Sequence, residues 1–414
     1  MNTKAKRKET NRICIVSCHP SVPSGYGVGT KNIIHMLTKL GYDVCVYAIY
    51  GILSHTESIE VNGKTVNIYP YNPNSDNMIS DLYSVRFIED YDMVFSFLDL
   101  FVFDVQYMED YWISSLMIDS KPFLPVNDYA YNGVNMVLCT SKWAEDIMLE
   151  RTDGGDRIIQ QFPVPINEND YYIEDKQESR RLFKKKLEIV GNIDKLYTIN
   201  AANVGDGGVE RKNYPELLKW WKTHSENNPG DYLYLHTDIG GLQSKGANIK
   251  QLLDLYEVPF TNIRFAQPVL YRFGLLDNDY LRMVYNASDV MIVPSHSEGF
   301  GMPYVEAALC GCIPIANDFG TGAEVVRNLG GVTIDCVESY YTKGTIKSKS
   351  YAADIAKAVS KALIVKDSAD YEFILNCNAR EHYSMNTTME GLQALISRAY
   401  EHKQELITKS VING

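Results

Sequence analysis

Two glutamates eight positions apart, Glu298 and Glu306, bracket a glycine-bearing run that reads Ser-Glu-Gly-Phe-Gly-Met-Pro-Tyr-Val-Glu from Ser297. An ionised carboxylate accepts two hydrogen bonds in a fork, which is what adjacent hydroxyls require. Glu298 falls in a polar loop and Glu306 about one turn inside the helix that follows, so the pair suits a diol held from two depths. Val305, Ala307, Ala308 and Leu309 are apolar and place Glu306 on a shielded face rather than a solvated one. The amides of Gly299, Phe300, Gly301 and Met302 stand at a helix start, where backbone N–H groups lack intrahelical partners, and Pro303 fits the first turn.

A second glycine cluster, Ser24-Gly-Tyr-Gly-Val-Gly-Thr30, separates an apolar run from a helical pattern. Glycines there let backbone amides approach an anion at the positive end of the helix dipole, or serve only the turn. A dinucleotide fold needs G-x-G-x-x-G and a carboxylate ending the second strand. Here the spacing is G-x-G-x-G and the second strand ends Val44-Cys-Val-Tyr-Ala-Ile-Tyr50, which disfavours nicotinamide chemistry.

Two series of short β-branched runs alternating with helical patterns position these groups, as in parallel sheets covered by helices. The first series predicts strands at Ile13–Cys18, Val44–Ile49, Met93–Phe97 and Met136–Cys139, with helices near Thr30–Leu40 and Lys142–Glu150. The second predicts strands at Tyr197–Ala201, Tyr232–Leu235, Val290–Val293 and Ile313–Ala316. Phe162–Asp175, with two prolines and an acidic run, falls between the series and reads as the boundary. The expected organisation is a disordered basic tail over 1–12, a first Rossmann-like domain over 13–170 and a second over 171–384. Residues 385–414 form a helix returning to the first domain.

The chain has 414 residues, enough for two ordinary cores, and 45% hydrophobic against 22% charged residues marks a globular protein. No run of about twenty apolar residues is present, so no spanning helix is expected. Ile13–Cys18 is too short for a signal-peptide core. Eight scattered cysteines without a C-x-x-C pair fit a reduced, cytoplasmic compartment, and Cys310-Gly-Cys312 reads as buried thiols. The net charge of −12 gives no strong signal for nucleic acid or an anionic membrane as partner.

The run Ser297–Ala307, followed by Gly320-Thr-Gly-Ala-Glu-Val-Val326, resembles the donor-binding core of the family-4 glycosyltransferases. That is a group of retaining enzymes of the GT-B fold, related to sucrose-phosphate and glycogen synthases. Pro23–Gly29, Leu40-Gly-Tyr-Asp-Val44, Ser141-Lys-Trp143, Arg211-Lys-Asn213 and Leu233–Asp238 extend the resemblance over most of the chain, weakly between residues 50 and 120. It implies a nucleotide-sugar donor, UDP- or GDP-linked, and a saccharide or glycoconjugate hydroxyl as acceptor. Glu306 would hold the ribose hydroxyls, Glu298 would position the donor sugar, and the amides of Gly299–Met302 would hold sugar and phosphates. Gly27, Val28 and Gly29 would close on the diphosphate, while Arg211 and Lys212 neutralise the leaving phosphate without a metal or other cofactor. The family's separate arginine after the first strand of the second lobe is missing, the sequence there reading Asn203-Val-Gly-Asp-Gly-Gly208. Either Arg211 takes over that role or the phosphate site is weaker; Arg211 and Lys212 as a solvated pair before a helix is the competing reading.

Asp128, in Pro125-Val-Asn-Asp-Tyr129, is the candidate acceptor contact, or else a turn residue. The aromatic-rich stretch Phe101–Tyr131 can stack sugars or bases, or fill the core. Asp90-Tyr-Asp92 and Asp277-Asn-Asp279 match a D-x-D metal site formally but read as a strand lead-in and a helix cap. Three other readings stay open: transfer to a hydroxymethylated nucleic-acid base, a sugar-nucleotide epimerase of the same fold, and a catalytically silent sugar-nucleotide-binding module. Oligomeric state is not legible.

Overall fold

The computed structural model describes residues 10–51, 54–72, 78–102, 110–123, 131–151, 156–206, 209–241, 246–341 and 344–413. The first lobe is built on β1 (Arg12–Cys18), β2 (Asp43–Tyr50), β3 (Glu57–Val61), β4 (Lys64–Pro70), β5 (Met93–Phe97), β6 (Tyr111–Leu116), β7 (Met136–Cys139) and β8 (Ile158–Gln161). They form one sheet in the order β3-β4-β2-β1-β5-β6-β7-β8, parallel except for the antiparallel edge strand β3. In β5, β6 and β7 every residue is buried, the signature of a parallel sheet covered on both faces.

The second lobe holds β9 (Leu196–Asn200), a two-stranded ribbon of β10 (Gly205–Asp206) and β11 (Val209–Glu210), then β12 (Tyr232–His236), β13 (Ile263–Phe265), β14 (Val290–Val293), β15 (Ile313–Asn317) and β16 (Val332–Ile334). Its main sheet runs β13-β12-β9-β14-β15-β16, all parallel. A hairpin of β17 (Val337–Tyr341) and β18 (Thr345–Lys349) follows. The expected α/β class with two Rossmann-like lobes is what the chain forms.

In both sheets the strand order reverses beside the first strand, between β1 and β5 and between β9 and β14. Ligands of open α/β sheets bind in the crevice at the carboxyl ends of strands where the order reverses. The loops after β9 and β14 therefore border that crevice in the second lobe.

Several expectations need correction. The basic tail expected over 1–12 gives way to ordered structure at its end: the Thr10 amide donates to both oxygens of Asp92, at 3.1 and 2.9 Å, and Arg12 opens β1. The helix expected from Thr30 starts at Gly25, capped by the Ser24 hydroxyl, which accepts from the Gly27 amide. The chain passes between the lobes twice, and the two passages bond to each other. The Ile166 amide donates to Tyr383 O at 2.8 Å and the Met385 amide to Ile166 O at 2.9 Å. Helix Met385–Asn413 then lies against the first sheet, where Tyr400 donates to Asp92 at 3.1 Å and His402 meets the Tyr111 hydroxyl at 2.8 Å.

Candidate functional site

Arg211 and Lys212 follow β9 and its ribbon, and Ser297 and Glu298 follow β14, so the order reversal brings them together. The His296 amide donates to Arg211 O at 2.9 Å and fastens the two loops. Glu210 organises the first one: its carboxylate accepts from the Lys212 and Tyr214 amides at 2.7 and 2.9 Å, capping helix Tyr214–Asn227. Asn213 turns the chain through the left-handed region at φ 59°, its side-chain amide donating to Ser350 O.

Lys212 is buried and its ammonium lies 2.5 Å from Glu298 Oε1; the Arg211 guanidinium is 4.0 Å from Oε2 and donates to Ser297 O at 3.0 Å. The reading of Arg211 and Lys212 as a solvated pair is thereby overturned. Burial alone would push the Glu298 carboxyl up, but the Lys212 and Arg211 charges outweigh it and hold it down at about 2. Burial and the neighbouring Arg211 charge pull Lys212 below its ordinary value, against the opposing pull of Glu298. Glu298 is thus held as an anion, with Lys212 as its close partner.

Glu306 lies on helix Met302–Leu309, buried, accepting from the Tyr285 hydroxyl at 2.9 Å, which itself takes a hydrogen bond from Asn200 at 2.6 Å. Burial pushes its carboxyl up to about 7, with the Tyr285 hydrogen bond working against the rise. Gly301 precedes this helix at φ 88°, a conformation that side chains rarely adopt. A Cβ on Gly299 would come within 2.7 Å of Met117, so the glycine admits the first lobe's chain to this loop, and the Thr140 hydroxyl donates to Gly299 O at 2.7 Å. The Phe300 ring is buried edge-on against Tyr383, so Phe300 can offer a ligand only its backbone.

The first-lobe glycines behave differently from expectation. Gly27, Val28 and Gly29 are helical; the Gly27 amide is taken by the Ser24 hydroxyl and the Val28 amide by Ser24 O. A Cβ on Gly27 would meet Val22 O at 2.1 Å and one on Gly29 the Phe97 ring at 2.2 Å. These two glycines permit close packing, and the Gly27 and Val28 amides are not open to a phosphate. The same helix nonetheless faces the second lobe, since a Cβ on Gly25 would lie 3.6 Å from Met302 Sδ.

Asp128 lies outside the described residues, as do 103–109 and 124–130 of the aromatic-rich stretch, while Tyr111, Trp112 and Tyr131 within it are buried in the core. The D-x-D matches are otherwise engaged: Asp92 with Thr10 and Tyr400, Asp277 as the cap accepting from Tyr280, and Asp279 in an ion pair with Arg282. Cys310 and Cys312 are buried free thiols.

Sequence reasoning missed Asp119 and Lys347. Asp119 follows β6 in the first lobe, yet its Oδ2 lies 3.5 Å from Arg211, 3.2 Å from the Ser297 hydroxyl and 3.1 Å from Lys347 on β18. The only signal for Asp119 is its place just beyond a strand end, and the strand itself was not among those expected.

Comparison with known proteins follows the same lines. Residues 269–371 match the family model "Glycosyl transferases group 1". A D-inositol 3-phosphate glycosyltransferase of Gordonia bronchialis is 32% identical over 121 residues, 28% of this chain and 23% of that protein. An uncharacterised 41.2 kDa protein from the cps region of Klebsiella pneumoniae is 25% identical over 218 residues, 51% of this chain and 57% of the other. The chain thus covers less than two thirds of either relative. Among solved structures, sucrose-phosphate synthase from Thermosynechococcus elongatus superposes with a TM-score of 0.68 at 16% identity, over 94% of this chain and 99% of that one. WaaG, a glycosyltransferase involved in lipopolysaccharide biosynthesis, gives 0.59 at 13% identity, over 89% and 94%. The GT-B fold is therefore borne out along nearly the whole chain, and the resemblance first read from Ser297–Glu306 is to the group-1 glycosyltransferases, whose matched stretch contains that segment.

Proposed function

We propose that this protein is a retaining glycosyltransferase of the family-4 type. It moves a hexose or pentose from a UDP- or GDP-sugar to a hydroxyl of a saccharide or glycoconjugate, in the cytoplasm and without a metal. The observation that carries the reading is the convergence of Arg211, Lys212 and Glu298 at the order reversal of the second sheet, facing Met117 and Asp119 of the first lobe. Departure of a nucleoside diphosphate builds negative charge on the leaving oxygen, and pre-placed cations stabilise it without reorganising. Glu298, ionised down to about pH 2, accepts hydrogen bonds from donor-sugar hydroxyls and cannot serve as a proton donor near neutrality. Glu306 receives the ribose diol on the buried side of the same cleft. The proton of the acceptor hydroxyl leaves with the departing phosphate, as the family resemblance implies.

Thermal shift across UDP-, GDP- and ADP-sugars tests this, because a ligand that binds the native state raises its apparent stability. One donor class should raise the melting temperature by several degrees. No rise with any of them overturns the proposal.

A further inference from the structure

The missing second-lobe arginine leaves a question of charge: the proposed donor chemistry asks Arg211 and Lys212 to meet a nucleoside diphosphate, while Lys212 is already held by Glu298. The hairpin β17–β18 supplies a third cation. Its strand β18 is anchored at the reaction site, where Ser348 donates through both its amide and its hydroxyl to His296 O, at 2.8 and 2.7 Å. Beyond that anchor it reaches the other lobe, pairing antiparallel with Lys121 through hydrogen bonds of 3.3 and 2.6 Å between Lys121 and Ile346. Between these two attachments sits Lys347, buried, its ammonium 3.1 Å from the Asp119 oxygen that also faces Arg211 and Ser297.

Burying an ammonium is costly unless an anion compensates it, and a lysine stem held at both sides by backbone hydrogen bonds has lost the freedom to avoid that cost. The single Asp119 oxygen at which Arg211, Lys347 and Ser297 converge marks a position built for an anionic oxygen. His296, beside it, is pulled down to about 4, first by burial and then by the charges of Lys349, Lys347 and Arg211, three cations gathered around one loop of a chain whose net charge is −12.

We infer that Lys347, delivered by the β17–β18 hairpin, is a diphosphate-binding residue that substitutes for the absent arginine, with Asp119 occupying the same cations when no donor is bound. The inference rests on the proposed donor chemistry and adds a residue outside the family's motif. On donor binding the diphosphate oxygens take Arg211 and Lys347, and Asp119 gives them up.

Titration calorimetry on the full chain tests it with UDP and uridine, and with GDP and guanosine. Lys347→Met should weaken binding of the preferred diphosphate about tenfold and leave the nucleoside unchanged, while Lys347→Arg stays within about threefold of the parent. Equal weakening of diphosphate and nucleoside, or no weakening, overturns the inference. Asp119→Asn is the second variant and has the opposite sign: removing the competing carboxylate tightens diphosphate binding, and unchanged or weaker binding counts against the proposal. Glu338→Gln, which cuts the hairpin's ion pair with Lys121 on the surface, controls for loss of hairpin attachment and leaves the ratio of diphosphate to nucleoside affinity as in the parent. If the parent binds neither diphosphate, the glycosyltransferase reading itself falls; if the parent binds and Lys347→Met binds equally well, only the role of Lys347 falls.

Discussion

Each lobe carries a G-x-G run shortly after a strand, yet the two runs do opposite work. In the first lobe Gly27 and Gly29 lie inside a helix and make room for Val22 O and the Phe97 ring. In the second, Gly299 and Gly301 stand outside the helix; one admits Met117 of the opposite lobe and the other holds φ 88°. A glycine marks a place where a side chain does not fit. Whether the intruder is the protein's own core or the wall of a ligand site depends on which atoms surround it.

Charge divides the two runs further. The cap of the first is the uncharged Ser24, whereas the second is preceded by Glu298, paired with the buried Lys212, and the largest effect of any substitution should fall there. Lys212→Met removes a cation from the leaving-group side and strands Glu298. It should lower turnover by about a hundredfold or more and cost about 3–5 kcal/mol of stability, read by urea denaturation. Stability loss without loss of turnover in the folded enzyme would make the second run structural too and break the contrast.

Glu306→Gln should act with the reverse sign on stability. The folded carboxyl titrates near 7 and the unfolded one at its ordinary 4.5, so between these values the folded state holds the extra proton and stability falls as pH rises. The substitution removes that penalty: a gain of about 3 kcal/mol at pH 8 that fades towards pH 4, measured by denaturant melts at both. Donor affinity should drop at the same time, because the ribose hydroxyls lose an anionic acceptor.

Gly27→Ala should cost about 1–3 kcal/mol through overpacking against Val22 O, with donor affinity in the folded fraction unchanged. A selective loss of affinity would return the first run to the phosphate site. The smallest effect is in proton linkage. Diol binding favours the ionised Glu306, so nucleotide affinity should rise with pH between 6 and 8 by about severalfold, with protons released in calorimetry across two buffers.

Four second-lobe strands, β9, β12, β14 and β15, and the loop Ser297–Glu306 were legible because apolar runs and an unusual string of small and acidic residues sit side by side in the chain. β6 escaped, its Tyr-Trp-Ile-Ser-Ser-Leu run being broken by serines that are buried and hydrogen-bonded across strands, as Ser114 is to Ser96 at 2.9 Å. β13 and β16 are three residues each, too short for a period to show. Lys347 stands in Thr-Ile-Lys-Ser-Lys, a polar alternation that reads as a solvated hairpin. Its burial comes from docking against Asp119, 228 positions earlier, and no local pattern encodes that meeting. The helical state of Gly27–Gly29 was hidden for a related reason, since the cap that starts the helix at Ser24 looks the same as a turn serine in sequence.

The mutual hydrogen bonds of Ile166 with Tyr383 and Met385 tie both interlobe passages at one spot. A body joined to another by two separate tethers can slide or shear; one whose tethers are stitched together is left with a pivot. Any rotation of one lobe against the other turns about residues 166 and 384, and it has to break the hydrogen bonds by which β18 crosses to Lys121.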